Sequence, residues 1–179
     1  MGYSASNSNK KVFSVGDSVV YPSHGVGQIT AEEIQVIAGV EMKLYVITFA
    51  KDKMILRVPT SRAIKTGLRH LITKEDLNLI SATLKGKARP AKGMWSKRAQ
   101  EYENKINSGD IIAIAEVLRD LHRNVEDSER SYSERVIYDS ALERLAHEYS
   151  VAAGNSPEDS AATIVDILNQ GGGISRKSA

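Results

Sequence analysis

One short stretch of the chain concentrates side chains that can bind phosphate. Residues 85–98, KGKARPAKGMWSKR, hold six basic residues, no carboxylate and the single tryptophan, Trp95. This combination suits a nucleic-acid surface, because cations bind phosphates while an apolar ring can wedge into the minor groove and hold a base step open. Such contacts sense groove width and deformability more than base sequence. We call residues 85–98 the collar and take it as the candidate DNA-binding site.

Cations of the collar bracket the tryptophan and are the main candidates for phosphate contacts: Arg89, Lys92, Lys97 and Arg98. Gly93 and Ser96 allow the chain to turn tightly beside the ring. A helix that begins near Ser96 would also direct free backbone N–H groups at a phosphate. The collar therefore predicts a DNA contact that combines positive charge with one aromatic side chain.

Arg119 and Arg123 are secondary DNA candidates, because one face of a helix would carry both. Each could instead form an ion pair, with Asp120 or with Glu126. The chain around them is acidic: residues 101–170 contain fifteen acidic residues against six basic ones, although the whole chain has a net charge of +2. An acidic body would keep DNA away except where the bases are concentrated.

Two plainer interpretations of the collar stay open. A run rich in lysine and glycine can be a flexible charged linker. A tryptophan is more often an anchor in a core or between domains, because its ring buries a large area. The polar neighbours of Trp95 are unlike the flanks of a core position, which favours the DNA-binding interpretation.

The other residues that could do chemistry give no sign of catalysis. Four histidines are scattered without the spacing of metal ligands: His24, His70, His122 and His147. The chain has no cysteine, which excludes disulfides and thiolate metal sites. Nucleophile motifs and phosphate-binding loops are absent, and no apolar run approaches the about 18–20 residues of a membrane span. We expect no enzyme activity, metal, cofactor, small-molecule substrate or membrane contact.

The elements that would position these residues change character near residue 70. Residues 12–70 carry four or five short β-branched runs separated by glycine turns, with a hairpin that pivots on Gly39. This pattern predicts a small, strongly bent antiparallel sheet or a small antiparallel β-barrel of the SH3-like type. Residues 1–11 are polar and predict a disordered leader.

Residues 71–170 predict an all-helical domain, which makes the fold class α+β. Helix starts are indicated by residues that cap helices, in chain order Thr73, Asp110, Ser131 and Ser156. Another helix should begin at Trp95 or Ser96 and stop at Ser108–Gly109, where glycine can adopt the left-handed conformation. The helix after Asp110 should run to about Val125. Residues 171–179 predict a disordered tail.

Several motifs in this order and spacing resemble those of the bacterial CarD/CdnL transcription regulators. They are FSVGDSVVYP at 13–22 with His24-Gly25 behind it, Arg57-Val58-Pro59, Trp95-Ser96-Lys97-Arg98, Ser108-Gly109-Asp110, and AEVLRDL at 115–121. The resemblance covers about residues 12–170. It implies a Tudor-like N-terminal domain that binds a lobe of the RNA polymerase β subunit. It also implies a helical domain that contacts promoter DNA at the upstream edge of the transcription bubble.

The resemblance further implies that Trp95 wedges into the minor groove, hinders bubble collapse and lengthens the life of the open complex. DNA binding would be weakly sequence-specific. We expect a monomer in the bacterial cytoplasm, associated with the nucleoid.

The polymerase-binding role maps onto Arg57, in the Arg-Val-Pro match, with Ile37 on the facing strand and with Ile55 and Gln35 nearby. The chain departs from some relatives at Gln35 and Gln100, where they carry a basic residue. An exposed strand edge that pairs with a partner strand is the expected docking mode.

Two rival classes remain. One is a protein–protein adaptor that does not bind DNA and uses Trp95 as an anchor between its domains. The other is a sequence-specific repressor with a recognition helix, although no helix here clusters bases and amides at its N-terminal end.

Overall fold

The computed structural model describes residues 13–122 and 130–171, and the structural statements below refer to these ranges. Strands come first along the chain: β1 (Ser18–Tyr21), β2 (Gly25–Ile37), β3 (Val40–Phe49), β4 (Met54–Pro59) and β5 (Arg69–His70). Helices follow: α1 (Asp76–Lys85), α2 (Trp95–Asn107), α3 (Ile111–Leu121), α4 (Tyr132–Ala153) and α5 (Pro157–Gln170). The predicted α+β class is confirmed. The predicted leader and the tail beyond Gly171 lie outside the described residues. The prediction that the helix after Asp110 runs to about Val125 was wrong, because α3 ends at Leu121 and His122 has an extended backbone.

The strands form one antiparallel sheet in the order β4-β3-β2-β1-β5. β4 and β5 lie at opposite edges, so the sheet is not closed into a barrel, and of the two predicted alternatives the open antiparallel sheet is the one observed. Of the described strands, the two-residue β5 pairs with β1 and β4 pairs with β3. Closure would need hydrogen bonds between these two edges, and β5 is too short to supply a ladder.

The long β2–β3 hairpin has a bulge that decides which side chains share a face. Ile29 pairs with Ile47 on the core face, but after the bulge Ala31 pairs with Val46. Since side chains alternate along a strand, this shift moves the odd-numbered residues of β2 from the core face to the outer face. The hairpin turns at Ala38–Gly39, both with positive φ, as the glycine pivot predicted.

Each region has its own hydrophobic cluster. The sheet covers buried side chains that include Ile29, Tyr45, Ile47, Phe49 and Val58. The helices form one cluster in which α3 packs against α1, α2 and α4, and α5 packs against α4 and α1.

Helix starts agree with three of the predicted caps. The Asp110 carboxylate accepts from the Ile112 amide at 2.9 Å, and the Ser131 and Ser156 hydroxyls accept from amides three residues on. The prediction for Thr73 was wrong. α1 begins at Asp76, and the Asp76 carboxylate instead accepts from the Thr73 amide at 2.8 Å.

The sheet and the helices meet at a joint formed by Pro22, Arg69, Gly109, Arg144 and Glu148. The Arg69 guanidinium donates to the Gly109 carbonyl and to both carboxylate oxygens of Glu148. Arg144 donates to the Pro22 carbonyl at 3.0 Å. A Cβ on Gly109 would lie 2.9 Å from the Pro22 Cα, so only glycine allows this close approach.

Candidate nucleic-acid and protein interfaces

The collar connects α1 to α2, and its backbone is held at two points. The Arg89 amide donates to Asp120 Oδ1 at 2.8 Å, and the Ala91 amide donates to the Tyr102 hydroxyl at 3.0 Å. Tyr102 is buried, and the Asp120 side chain is 3% exposed. These buried acceptors fix the loop against α2 and α3, which disfavours the flexible-linker interpretation.

Most basic side chains of the collar point into solvent. The exposed ones are Lys85, Lys87, Arg89, Lys92 and Lys97, while Arg98 is half-buried. Within the described ranges, none of these six residues forms an ion pair with a carboxylate. The collar therefore presents unneutralised positive charge on a fixed backbone, as a phosphate-binding surface requires.

Trp95 is the first residue of α2 and is held from two sides. Its Nε1–H donates to the Ser133 hydroxyl at 3.1 Å, and the Arg98 guanidinium carbon lies 5.4 Å from the ring centroid, within cation–π range. The ring is half-buried against the helical cluster, so it is less exposed than its polar neighbours in sequence suggested. All these contacts lie within the helical region. Trp95 is therefore not the anchor between domains that the adaptor alternative requires.

Two exposed side chains beside Trp95 were missed by sequence reasoning. Met94, just before the tryptophan, is 79% exposed, and Tyr132, just before Ser133, is 83% exposed. The hydrogen bond from Trp95 to Ser133 brings the first turns of α2 and α4 together, so each exposed residue is a chain neighbour of one partner in that bond. Tyr132 lies far from the collar in sequence, and its only local signal is its position in the first turn of a capped helix.

The structure describes only one of the two secondary DNA candidates, Arg119. Arg119 Nε donates to Asp120 Oδ1 at 2.8 Å and its side chain is 14% exposed, so the ion-pair alternative for this residue is the one observed. We therefore remove Arg119 from the DNA surface. Arg123 lies outside the described residues. Gln100 is exposed and donates to Asn104 at 2.9 Å.

The predicted polymerase-binding residues lie together on the outer face of the sheet. β3 pairs Val46 with Arg57 and Thr48 with Ile55, and beyond the bulge its even-numbered residues face Gln35 and Ile37 of β2. The alternation of side chains places all four candidates opposite the core. The bulge in β2 is what puts Gln35 and Ile37 there.

Arg57 has a partner that the sequence did not reveal. Its Nε donates to Glu33 Oε2 at 2.9 Å, and the same oxygen accepts from Gln35 at 3.3 Å. Since β3 lies between the strands of Glu33 and Arg57, the pair bridges the outer face. The hydrogen bond from Arg57 lowers the pKa of Glu33, and the hydrogen bond to Glu33 raises the pKa of Arg57. Arg57 is thus charged and oriented across the sheet.

Apolar side chains surround this ion pair or extend from it toward the hairpin tip. On this outer face the exposed ones are Ile37, Val40 and Ile55, while Ile34 and Val36 are exposed on the opposite face. β4 is an edge strand, and β2 pairs with β1 only over residues 25–28. Exposed apolar side chains next to open strand edges suit a protein partner that adds a strand.

Within the described ranges, no helix is long and apolar enough to cross a membrane. The same ranges hold no group of three or more histidine, aspartate or glutamate side chains placed to bind a metal ion.

Comparison with known proteins agrees with this two-part organisation. Residues 13–72 match the CarD-like/TRCF RID domain, and residues 79–166 match the CarD C-terminal domain. A Bacillus subtilis (strain 168) protein named "Putative transcription factor YdeB" is 31% identical over 147 residues, which cover 80% of this chain and 94% of that protein. These matches define a regulator of transcription. The chain belongs to the CarD family, as its motifs predicted.

Proposed function

We propose that this protein regulates transcription initiation by binding the RNA polymerase β subunit and promoter DNA at the same time. The outer face of the sheet binds polymerase, and the collar binds the upstream edge of the bubble. The observation that carries the proposal is the collar itself: a fixed loop whose cations have no carboxylate partner among the described residues, beside a half-buried tryptophan.

On the DNA side, the cations bind phosphates and the indole ring props open a base step from the minor groove. Ser133 and Arg98 hold the ring in one orientation, which supports a wedge that is ready before DNA arrives. Met94 and Tyr132 widen the apolar surface around it. If four collar cations neutralise phosphates, log K falls with log salt at a slope of about −3 to −4.

On the polymerase side, Arg57 contributes the charge and Ile37 and Ile55 the apolar contacts. The open edge of β4 lies directly beside Arg57 and Ile55, so a strand of the partner can pair there while its side chains meet both residues. An acidic partner residue would compete with Glu33 for Arg57. Gln35 supplies a weaker, neutral contact.

Contacts made only with melted DNA shift the equilibrium from the closed toward the open complex by their differential binding free energy. Polymerase binding raises the effective concentration of the collar at the bubble, so a weak DNA contact suffices. This effect requires that both surfaces belong to the same chain.

The test is the lifetime of a promoter open complex after competitor challenge, with homologous polymerase. The intact protein should lengthen it, and Trp95→Ala and Arg57→Glu should each reduce the gain. Lys43→Glu is the matched control for Arg57→Glu, because Lys43 is exposed on the same sheet but pairs with Ile34 on the opposite face. A gain that survives Trp95→Ala would contradict the wedge. No gain with the intact protein would contradict the proposed function.

A further inference from the structure

Asp120 lies beneath the collar, where a carboxylate is unexpected on a phosphate-binding surface. We propose that Asp120 is a positioning residue that holds the collar backbone in its phosphate-binding conformation, with Arg119 holding Asp120 in turn. This inference rests on the proposed function, because it assigns the support of the same DNA-binding loop.

One oxygen of Asp120 accepts both hydrogen bonds. Oδ1 lies 2.8 Å from the Arg89 amide nitrogen and 2.8 Å from Arg119 Nε. Both side chains are largely withdrawn from solvent, and burial of a carboxylate is costly unless it has such partners. Arg119 neutralises Asp120, and the carboxylate is thereby fixed as an acceptor for the collar.

Asp120 binds the collar in the part of the loop that would otherwise be least constrained. Gly86, Pro90 and Gly93 prevent the collar from continuing either helix. Between the glycines, the Arg89 amide is bonded to Asp120, Pro90 has no amide hydrogen, and the Ala91 amide is bonded to Tyr102. Every backbone donor of residues 89–91 is therefore accounted for. The loop does not have to be ordered when phosphate binds, which reduces the entropic cost of binding.

Electrostatics and positioning predict opposite effects for the loss of Asp120. Removal of a negative charge near DNA should by itself strengthen binding. Loss of the hydrogen bond from the Arg89 amide to Asp120 should weaken DNA binding, because the loop must then become ordered when the DNA binds. The sign of the affinity change therefore separates the two roles.

The experiment compares Asp120→Ala, Asp120→Asn and the control Glu116→Gln for binding to a fluorescein-labelled duplex with a mismatched bubble. Glu116 is on the same helix and pairs with Lys105 at 2.9 Å, so its loss removes an equal charge without touching the collar. We expect Asp120→Ala to weaken binding about three- to tenfold. Asp120→Asn should weaken it less, since an amide oxygen can still accept from Arg89, and Glu116→Gln should leave binding unchanged or tighter.

Amide hydrogen exchange of the folded proteins gives a second readout that does not involve DNA. The Arg89 amide should be protected in the wild type and in Glu116→Gln, and should exchange faster in Asp120→Ala. If Asp120→Ala does not fold, Asp120→Asn decides both measurements, with smaller changes in the same direction, because a neutral amide oxygen accepts a weaker hydrogen bond than a carboxylate. Unchanged Arg89 protection, or binding as tight as that of the wild type in the folded Asp120 variants, would overturn this inference alone. A wild-type protein that neither binds the duplex nor lengthens the open complex would overturn the proposed function as well.

Discussion

Arg69 and Glu148 join the sheet to the helices through a two-pronged ion pair, with nitrogen–oxygen distances of 2.6 and 3.0 Å. The Glu148 side chain is 4% exposed and also accepts from the Ile72 amide at 3.0 Å. One carboxylate of α4 therefore holds the segment through which the chain passes from sheet to helices. In the proposed function, this joint sets the distance and angle between the polymerase-binding face and Trp95.

Replacing Glu148 with glutamine should destabilise the protein strongly, because Arg69 would lose its only carboxylate partner in the described structure. We expect a loss of about 2–4 kcal/mol in the free energy of unfolding, measured by urea titration. Glu143→Gln is the control, since Glu143 also joins α4 to the sheet region through Lys51 but as an exposed pair, with an expected cost below about 1 kcal/mol. Equal losses in the two variants would show that burial of the joint does not matter.

A Cβ at Gly109 should push Gly109 and Pro22 apart and so destabilise the joint between the sheet and the helices. Gly109 has φ of +75° and would place its Cβ 2.9 Å from Pro22, whereas Gly154 has φ of +74° with open space around it. Gly154→Ala should therefore cost only the backbone strain, about 1–2 kcal/mol. Gly109→Ala should cost clearly more in thermal unfolding, because the contact with Pro22 must also move. The same loss in both variants would contradict a tight joint.

Protonation of His122 should destabilise the helical region. Its Nδ1 lies 2.8 Å from the Tyr138 hydroxyl and its Nε2 lies 2.8 Å from Asn169 Oδ1. Burial lowers the pKa of His122, and the nearby Arg130 lowers it further against the opposing effect of Asn169. The folded state thus resists a proton that the unfolded chain accepts near its ordinary pKa of about 6.5.

It follows that stability contributed by neutral His122 is fully present above pH about 6.5 and is lost as the pH falls through the lowered folded-state pKa. Urea midpoints measured from about pH 7.5 to about pH 5 should decrease in the wild type. His122→Gln should be less stable at neutral pH but should show a flatter dependence, since the other histidines are common to both chains. Parallel pH profiles would assign the decrease to other groups.

Collar lysines should account for part of the salt dependence of DNA binding. Lys92→Gln or Lys97→Gln removes one phosphate partner and should reduce the slope of log K against log salt by about 1. Lys65→Gln removes an exposed lysine from the sheet region and should leave the slope unchanged. Fluorescence anisotropy over a salt series measures all three variants. Equal slopes in the three would place the phosphate contacts outside the collar.

The sequence was informative wherever a local pattern determines structure. Alternating β-branched runs predicted the strands, and Asp110, Ser131 and Ser156 marked helix starts because a cap is a local hydrogen bond. The bulge after Ile29 has no comparable local signal, yet it decides which side of the sheet Gln35 and Ile37 occupy.

Features of the site that depend on packing between elements were beyond prediction. The sequence left open whether Arg119 binds DNA or pairs with Asp120, and only the burial of its side chain in the structure decides for the pair. Tyr132 is brought to Trp95 by the packing of α4 against α2, over a long separation in the chain. Glu33 reaches Arg57 across an intervening strand.

The hydrogen bond from Trp95 to Ser133 should determine how well the ring acts as a wedge. Ser133→Ala and Trp95→Phe each remove this bond while keeping an aromatic ring at position 95. Loss of the bond should weaken the stabilisation of the open complex by about 1 kcal/mol. This corresponds to a roughly fivefold loss of the gain in open-complex lifetime. Both should retain more gain than Trp95→Ala. If the two residues act through the one bond, the double variant Ser133→Ala/Trp95→Phe should be no worse than Trp95→Phe alone. Additive losses would mean that Ser133 supports the open complex by another route, and an unaffected lifetime in Ser133→Ala would mean that DNA binding reorients the ring.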